Sequence, residues 1–165
     1  VSSTPVENMG DRFDCLIAVD WMNLQRFADE IPLDERSVVV GDPNEGQLPE
    51  AFARTGARFV PLPFKATAKS IPGSWPNMIA LGLAAQMLGV PAAIVDEVIG
   101  RSLKKGADTL EPSRRAAAAG RAVGLEIGLS LADDGRGDPA GRWLITGNEA
   151  AGFGAIRGGG KQRLP

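Results

Sequence analysis

Histidine and tyrosine, two residue types with common roles in catalysis, are both missing from this 165-residue chain. The chain therefore offers no Ser–His nucleophile, no histidine general base and no histidine ligand for a metal. A single cysteine, Cys15, excludes an internal disulfide and the clustered thiolates of structural zinc or of an iron–sulfur cluster. Because the apolar residues Leu16 and Ile17 follow it, we expect Cys15 to be buried in the core. Catalysis by this chain alone is not expected.

A strong charge of one sign and long uncharged apolar runs are missing as well. The 18 basic and 20 acidic residues are scattered in both signs, without the basic stripe that binding to nucleic acid requires. No charged segment precedes an apolar stretch at the beginning of the sequence, and no apolar run is long enough to span a membrane. We therefore expect a cytoplasmic protein that interacts with neither nucleic acid nor membranes.

Short apolar runs alternate with helical patterns in the first half of the chain. The continuous run RFDCLIAVD, residues 12–20, is typical of a strand buried on both faces of a parallel sheet. Residues 21–31 have apolar side chains at helical spacing, and Pro32 ends this predicted helix. These apolar side chains are Met22, Leu24, Phe27, Ala28 and Ile31. Two further strands, residues 37–40 and 58–62, complete the prediction of an α/β fold with a Rossmann-like parallel sheet.

Three longer helices and a linker follow these strands. Residues 76–90 begin with proline, have glycine near their end and are apolar on all sides, which predicts a buried helix that another backbone can approach closely. A second helix is predicted to begin at Pro91, and a third, rich in alanine, covers residues 112–131. Residues 132–142 are polar and rich in glycine, proline and aspartate, which predicts a linker. A strand, a polar turn and a small-residue helix from Trp143 onward then predict the first βα unit of a second domain.

Five segments of the chain form a recognisable series: GDRFDCLIAVD, VPLPF, NMIALGLAAQMLGVP, LKK and TGNEAAGFGAIRGG. Together they resemble the 2-oxoacid:ferredoxin oxidoreductases, and specifically alpha subunits with a gamma domain fused at the N-terminus, as in 2-oxoglutarate:ferredoxin oxidoreductases. The resemblance implies that residues 1–131 are part of a gamma domain of the pyruvate/ketoisovalerate oxidoreductase type. It also implies that residues 143–165 begin the thiamine-pyrimidine-binding domain. The Gly-rich N-terminal loop and the YPITP-type segment of the family are absent, so we expect the chain to be truncated at both ends.

The resemblance also implies a reaction and a set of partners. The family decarboxylates a 2-oxoacid, such as 2-oxoglutarate or pyruvate, on thiamine diphosphate, passes electrons through iron–sulfur clusters to ferredoxin and transfers the acyl group to coenzyme A. Thiamine diphosphate and an iron–sulfur cluster would lie mainly on a separate beta subunit, in agreement with the single cysteine of this chain. We therefore expect an inactive chain that works as part of a complex with the beta subunit and ferredoxin. The alternatives are a free-standing Rossmann-like module that binds a nucleotide or coenzyme A, and an inert fragment.

Two segments are candidates for contact with these ligands. Thr146, Gly147, Asn148 and Glu149 follow a predicted strand, where open α/β sheets place their ligands, and the resemblance puts them near the thiamine cleft. The alternative interpretation is a helix cap, in which Thr146 or Asn148 satisfies free N–H groups. Asn77, in the first turn of a buried helix, could present its amide to coenzyme A, or could be a capping residue itself.

Weaker candidates have simpler explanations. Asp20, at the end of the first strand, could bind a ribose, but a solvated strand end explains it as well. The cations Arg101, Lys104 and Lys105 could bind a coenzyme A phosphate, or could be the charged end of a helix. The segment GGGK lacks the spacing of a phosphate-binding loop. The three tryptophans, Trp21, Trp75 and Trp143, are interpreted as core or interface anchors.

Overall fold

A computed structural model of the protein describes residues 12–22, 24–103, 107–128, 130 and 146–162. The chain divides into two units, residues 1–134 and residues 135–165. Three parallel strands form the sheet of the first unit in the order β1-β2-β3, namely β1 (Cys15–Ala18), β2 (Val38–Gly41) and β3 (Arg58–Pro61). In the register of the sheet, Cys15 pairs with Val38, and Val38 pairs with Arg58. The prediction of an α/β fold with a parallel sheet is confirmed.

The central strand β2 explains why the sheet forms at this point. Val38, Val39 and Val40 are β-branched and fully or almost fully buried, which is typical of a parallel strand that is covered on both faces. The strands on either side, β1 and β3, are half-buried over most of their length. The segment between β1 and β2 forms a 3-10 helix (Leu24–Glu30).

The described residues form five α-helices in the first unit and one in the second, numbered here in chain order. They are α1 (Glu50–Ala53), α2 (Phe64–Lys69), α3 (Pro76–Met87), α4 (Ala92–Ser102), α5 (Ala107–Ile127) and, in the second unit, α6 (Gly147–Gln162). The side chains of Phe64, Ile79, Leu83 and Met87 form the centre of the main core together with Val38 and Val40 of β2. The sheet is thereby packed against α2 and α3.

Helices α3 and α5 touch through their backbones. A Cβ atom added at Gly82 would lie 1.9 Å from the carbonyl oxygen of Ala117, and one added at Gly120 would lie 2.0 Å from the carbonyl oxygen of Ile79. Both distances are far below van der Waals contact, so only glycine fits at these two positions. The predicted close approach of a second backbone to this helix is confirmed.

The predicted amphipathic helix over residues 21–31 is wrong. The structure has the seven-residue 3-10 helix Leu24–Glu30 instead, and the tighter turn does not line up side chains at α-helical spacing. Consequently Met22 is 76% exposed and Phe27 is 45% exposed. Trp21, three positions before this 3-10 helix, is buried instead.

The predicted bounds of the alanine-rich helix are also wrong. Helix α5 begins at Ala107, so Pro112 lies inside it rather than at its start. Proline is tolerated at position 112 because its missing N–H leaves only one helix carbonyl without a hydrogen-bond donor. That carbonyl belongs to Asp108 in the exposed first turn of α5. The helix ends at Ile127 because Gly128 adopts a φ of +67°, the left-handed conformation that terminates helices.

Several predictions fall outside the described residues: the linker 132–142, the strand from Trp143 and the cations Lys104 and Lys105. The proposed domain bounds therefore stay a prediction. Trp21 is buried as expected, whereas Trp75 is 68% exposed and is not a core residue. Among the described helices, none combines the length and the apolar character needed to cross a membrane.

Candidate functional site

Two acidic residues of the first unit lie at the carboxyl ends of parallel strands. Asp20 follows β1 after one residue, and Asp42 directly follows β2. Ligands of open α/β sheets bind at this edge of the sheet. Trp21 and helix α2 lie at the same edge, so the chemistry of the edge depends on how these groups contact each other.

Asp42 organises this edge. Its carboxylate is fully buried and accepts two backbone hydrogen bonds, from the N–H of Asn44 at 3.0 Å and from the N–H of Lys65 at 2.9 Å. Helix α2 has Pro63 at its N-cap position and no side-chain cap of its own. Asp42 therefore caps α2 from 23 residues away in the sequence, and its negative charge lies at the favourable end of the helix dipole.

Trp21 covers the end of β2. Its indole Nε1–H donates a hydrogen bond to the carbonyl oxygen of Asp42 at 3.0 Å, and its ring is 6.1 Å from the ring of Phe59. A Cβ atom at Gly41 would lie 2.2 Å from the indole ring. The side chain can therefore occupy this place only because residue 41 is glycine.

Lys65 carries a positive charge at this edge of the sheet and interacts with Glu45. The Lys65 ammonium donates a hydrogen bond to the Glu45 carboxylate and forms an ion pair with it. This hydrogen bond, and after it the negative charges of Glu45, Asp20 and Asp42, raise the pKa of Lys65 above its usual value. Lys65 is therefore a permanent cation at neutral pH, suited to bind an anion and unsuited to act as a base or a nucleophile.

A groove lies between α2 and α3. It has a volume of about 480 Å³, and its lining includes Lys65, Lys69, Ile71, Ser74, Trp75 and Pro76. The exposed Trp75 forms one wall, and two lysines one helical turn apart form another. Asn77 follows directly and is exposed at the second position of α3. A groove with an aromatic wall and two cations is suited to a planar, anionic ligand.

The first turn of α6 contains the predicted segment Thr146–Glu149. The backbone N–H of Thr146 donates to the Glu149 carboxylate at 2.7 Å, and the N–H of Glu149 donates to the Thr146 hydroxyl oxygen at 3.3 Å. The same hydroxyl donates to the carboxylate at 2.9 Å. This reciprocal arrangement is a capping box. The hydrogen bonds from the backbone and then the side chain of Thr146 lower the pKa of Glu149.

The comparison with protein families decides where this fold belongs. The family model described as pyruvate ferredoxin/flavodoxin oxidoreductase matches residues 1–123. The chain belongs to this family. The predicted membership of this family is thus confirmed over residues 1–123, which contain the sheet and the groove. The fusion of a gamma domain to an alpha subunit stays a prediction.

A solved structure extends the similarity beyond the matched domain. It is a 2-oxoglutarate:ferredoxin oxidoreductase from Magnetococcus marinus with 2-oxoglutarate, coenzyme A and succinyl-CoA bound. Its identity to the present chain is 28%, with a TM-score of 0.70 over 96% of this chain. The family member described here spans only 28% of the length of that chain. No curated protein matches the sequence of the present chain significantly.

The structure places the predicted site residues in two different units. Asn77 lies beside the groove of the first unit. The N-cap residue of α3 is Trp75, and no side-chain cap hydrogen bond is made there within the described residues, so the predicted capping role of Asn77 is wrong. The segment 146–149 of the second unit forms a helix cap through Thr146, which is the alternative interpretation of this segment. Contact of these residues with coenzyme A or proximity to a thiamine cleft stays a prediction.

The weaker candidates have structural explanations. The Asp20 carboxylate accepts a hydrogen bond from the backbone N–H of Met22 at 2.9 Å and is exposed, which fits a solvated strand end. Arg101 forms an ion pair with Glu97 on its own helix. Cys15 is half-buried, and burial, followed by the charge of Asp14, raises its pKa to about 11. Its thiol is therefore protonated at neutral pH and a poor nucleophile.

The sequence interpretation missed Asp42, Lys65 and Lys69. The sequence does contain a signal for Asp42, because this residue directly follows the apolar run of β2. Asp20 occupies a similar position after β1. No comparable signal exists for the two lysines, because α2 is only six residues long and shows no clear periodicity.

Proposed function

We propose that the chain is part of the alpha subunit of a 2-oxoacid:ferredoxin oxidoreductase in which a gamma domain is fused ahead of the alpha segment. The enzyme would convert a 2-oxoacid such as 2-oxoglutarate to the acyl-CoA and reduce ferredoxin. The observation that carries this proposal is the structural similarity over 96% of the chain to an enzyme of that activity. The family match over residues 1–123 supports it independently. The cytoplasmic location stays a prediction.

The first turn of α6 does not fit the diphosphate of thiamine diphosphate. Thiamine diphosphate supplies an electron sink for the decarboxylated carbon, and its diphosphate is held by cations, helix N-termini or a metal. At the beginning of α6, however, Thr146 and Glu149 bond to each other, and the Glu149 carboxylate would repel a diphosphate. The described part of the chain also has no group of three acidic, cysteine or histidine side chains that could hold a metal. We therefore assign this cofactor and the iron–sulfur cluster to a beta subunit.

The chain's own contribution is then scaffold, subunit interface and a share in binding coenzyme A. Asn77 and the adjoining groove offer the features that such a co-substrate needs, namely an exposed amide, two lysines and an aromatic wall. A carboxylate substrate or a phosphate would be attracted by the two lysine side chains, Lys65 and Lys69, that line the groove. The chain orients the co-substrate, and chemistry at the 2-oxoacid takes place elsewhere in the complex.

The experiment that tests the proposal is co-expression with a candidate beta subunit encoded beside this chain. Size exclusion chromatography should show the two proteins eluting together. A dye-reduction assay should then depend on both a 2-oxoacid and coenzyme A if the complex is complete. Absence of any association with a beta subunit that carries clustered cysteines and a thiamine-binding motif would contradict the proposal.

A second candidate function is a free-standing module that binds a nucleotide or coenzyme A. The observation that favours it is the groove, since all its lining lies within residues 65–76 and needs no other subunit. It predicts measurable affinity for an adenine nucleotide in the absence of the beta subunit.

A further inference from the structure

Asp42 bonds to both segments that supply the Glu45–Lys65 ion pair. Its Oδ1 atom accepts a hydrogen bond from the N–H of Asn44 at 3.0 Å, and its Oδ2 atom accepts one from the N–H of Lys65 at 2.9 Å. The main-chain carbonyl oxygen of Asp42 accepts a further one, from the N–H of Glu45 at 3.3 Å. One fully buried residue therefore fixes the turn that carries Glu45 and the helix that carries Lys65.

Trp21 restricts the same turn. Its indole N–H donates to the carbonyl oxygen of Asp42 at 3.0 Å, and a Cβ atom added at Gly46 would lie 3.3 Å from the indole ring. Gly46 also has a φ of +131°, a backbone conformation that residues with a side chain rarely adopt. Since Gly46 directly follows Glu45, these contacts restrict the movement of the Glu45 carboxylate away from α2.

The two lysines of the groove consequently differ. The Lys65 ammonium is held by the Glu45 carboxylate, and the two side chains are 44% and 25% exposed. Lys69 is exposed, and no carboxylate among the residues that the structure describes forms an ion pair with it. The hydrogen bond to Glu45 raises the pKa of Lys65 and so reduces the fraction of its amine that is neutral and nucleophilic.

We propose that Asp42 is a positioning residue of the groove, which keeps Glu45 against Lys65 so that an anionic ligand meets one paired and one unpaired lysine. A ligand with a single negative charge can bind at Lys69 without disturbing the pair, whereas a second charge at Lys65 must compete with Glu45. The consequence for a co-substrate rests on the proposed function. The pairing itself does not.

Limited acetylation of the full chain with N-hydroxysuccinimidyl acetate, followed by tandem mass spectrometry, tests the pairing. The reagent transfers its acetyl group only to a neutral amine, so the rate at each lysine reports how free that amine is. Lys65 should react about threefold more slowly than Lys69, which is the size of one partly exposed ion pair. A Lys65 rate equal to that of Lys69 in the unmodified chain would overturn the proposal.

Two variants separate the roles of Glu45 and Asp42. Glu45→Gln removes the charge of the partner and should raise the Lys65 rate about threefold, with the Lys69 rate unchanged. Asp42→Asn replaces one acceptor oxygen by an NH2 group, so only one of the two segments stays bonded, and the Lys65 rate should rise about twofold. An unchanged Lys65 rate in Asp42→Asn excludes the positioning role, whatever Glu45→Gln shows.

A variant that is strained elsewhere shows whether Asp42 acts by position or only through stability. Gly120→Ala forces a Cβ atom against the backbone of α3 and leaves the contacts of Asp42 in place. The ratio of the Lys65 rate to the Lys69 rate should therefore equal that of the unmodified chain. A ratio raised as far in Gly120→Ala as in Asp42→Asn would refute the proposal, because a general loss of stability would then explain both.

The labelling experiment needs neither a beta subunit nor a ligand. Its failure removes the positioning role of Asp42 and leaves the proposed function as it stands. Lack of association with a beta subunit, in contrast, removes the proposed function and leaves the pairing of Glu45 with Lys65.

Discussion

Replacing Gly120 with alanine should destabilise the protein, although alanine is the better helix former. Alanine in place of glycine inside a helix contributes about 1 kcal/mol to stability through its propensity. At Gly120, however, the new Cβ atom would lie 2.0 Å from the carbonyl oxygen of Ile79 and 2.9 Å from the backbone nitrogen of Leu83. Contacts with backbone atoms cannot be relieved by a side-chain rotation, so α3 and α5 must move apart.

The cost of this movement exceeds the propensity gain. Overpacking of a tight core costs about 1–3 kcal/mol or more, and the backbone contact places Gly120 at the upper end of that range. We expect a net loss of about 2 kcal/mol, and a fall in melting temperature of about 4–8 °C for a chain of this size. Thermal and urea unfolding, followed by far-UV circular dichroism, measure both quantities.

A glycine in a neighbouring helix provides the matched control. A Cβ atom at Gly100 in α4 would meet only the guanidinium of Arg114 at 3.6 Å, an ordinary contact. Gly100→Ala should therefore gain stability from propensity alone, about 0.5–1 kcal/mol. The reasoning is refuted if Gly120→Ala melts at or above the unmodified protein, or if both variants lose stability to the same extent.

Two further predictions concern the sheet edge and the cysteine. Asp42→Asn should lower the free energy of unfolding by about 2 kcal/mol in urea titrations, because an NH2 group replaces one acceptor oxygen of this fully buried side chain and leaves the N–H of Lys65 or of Asn44 without its acceptor. Unchanged stability would contradict the capping role of Asp42. Cys15 should react slowly with iodoacetamide at neutral pH compared with the urea-unfolded chain, because its pKa is raised to about 11. The pKa of Cys15 is higher in the folded chain than in the unfolded chain. The stabilisation that results from this shift is therefore fully present below about pH 9 and is lost as the pH rises from about 9 to 11. Equal alkylation rates in the folded and unfolded chains would contradict this.

Part of the fold could be predicted from the sequence because it depends on local pattern. The β-branched run before Gly41 predicts a buried strand, and the structure has β2 at Val38–Gly41. The glycine near the end of residues 76–90 predicts the end of a helix. In the structure Gly89 follows Leu88, the C-cap residue of α3, and has a φ of +67°. These features need only neighbouring residues, so sequence reasoning is sufficient for them.

The remaining features depend on contacts between distant segments. The buried position of Trp21 depends on the contact of its indole ring with Gly41, twenty residues further along the chain. The cap of α2 comes from Asp42 and not from a neighbouring residue. The groove is formed by two helices and the loop between them, and none of its residues forms a recognisable motif. Local periodicity carries no information about such contacts.

The hydrogen bond between the Asp42 carboxylate and the N–H of Lys65 also links the groove to the local opening of the sheet edge. The Lys65 amide exchanges with solvent only when this bond opens, and opening would displace one of the lysines that line the groove. A ligand that binds the closed groove therefore slows this exchange in proportion to its occupancy. Hydrogen exchange at a single backbone amide would thus measure binding of a ligand in the groove without a label on that ligand.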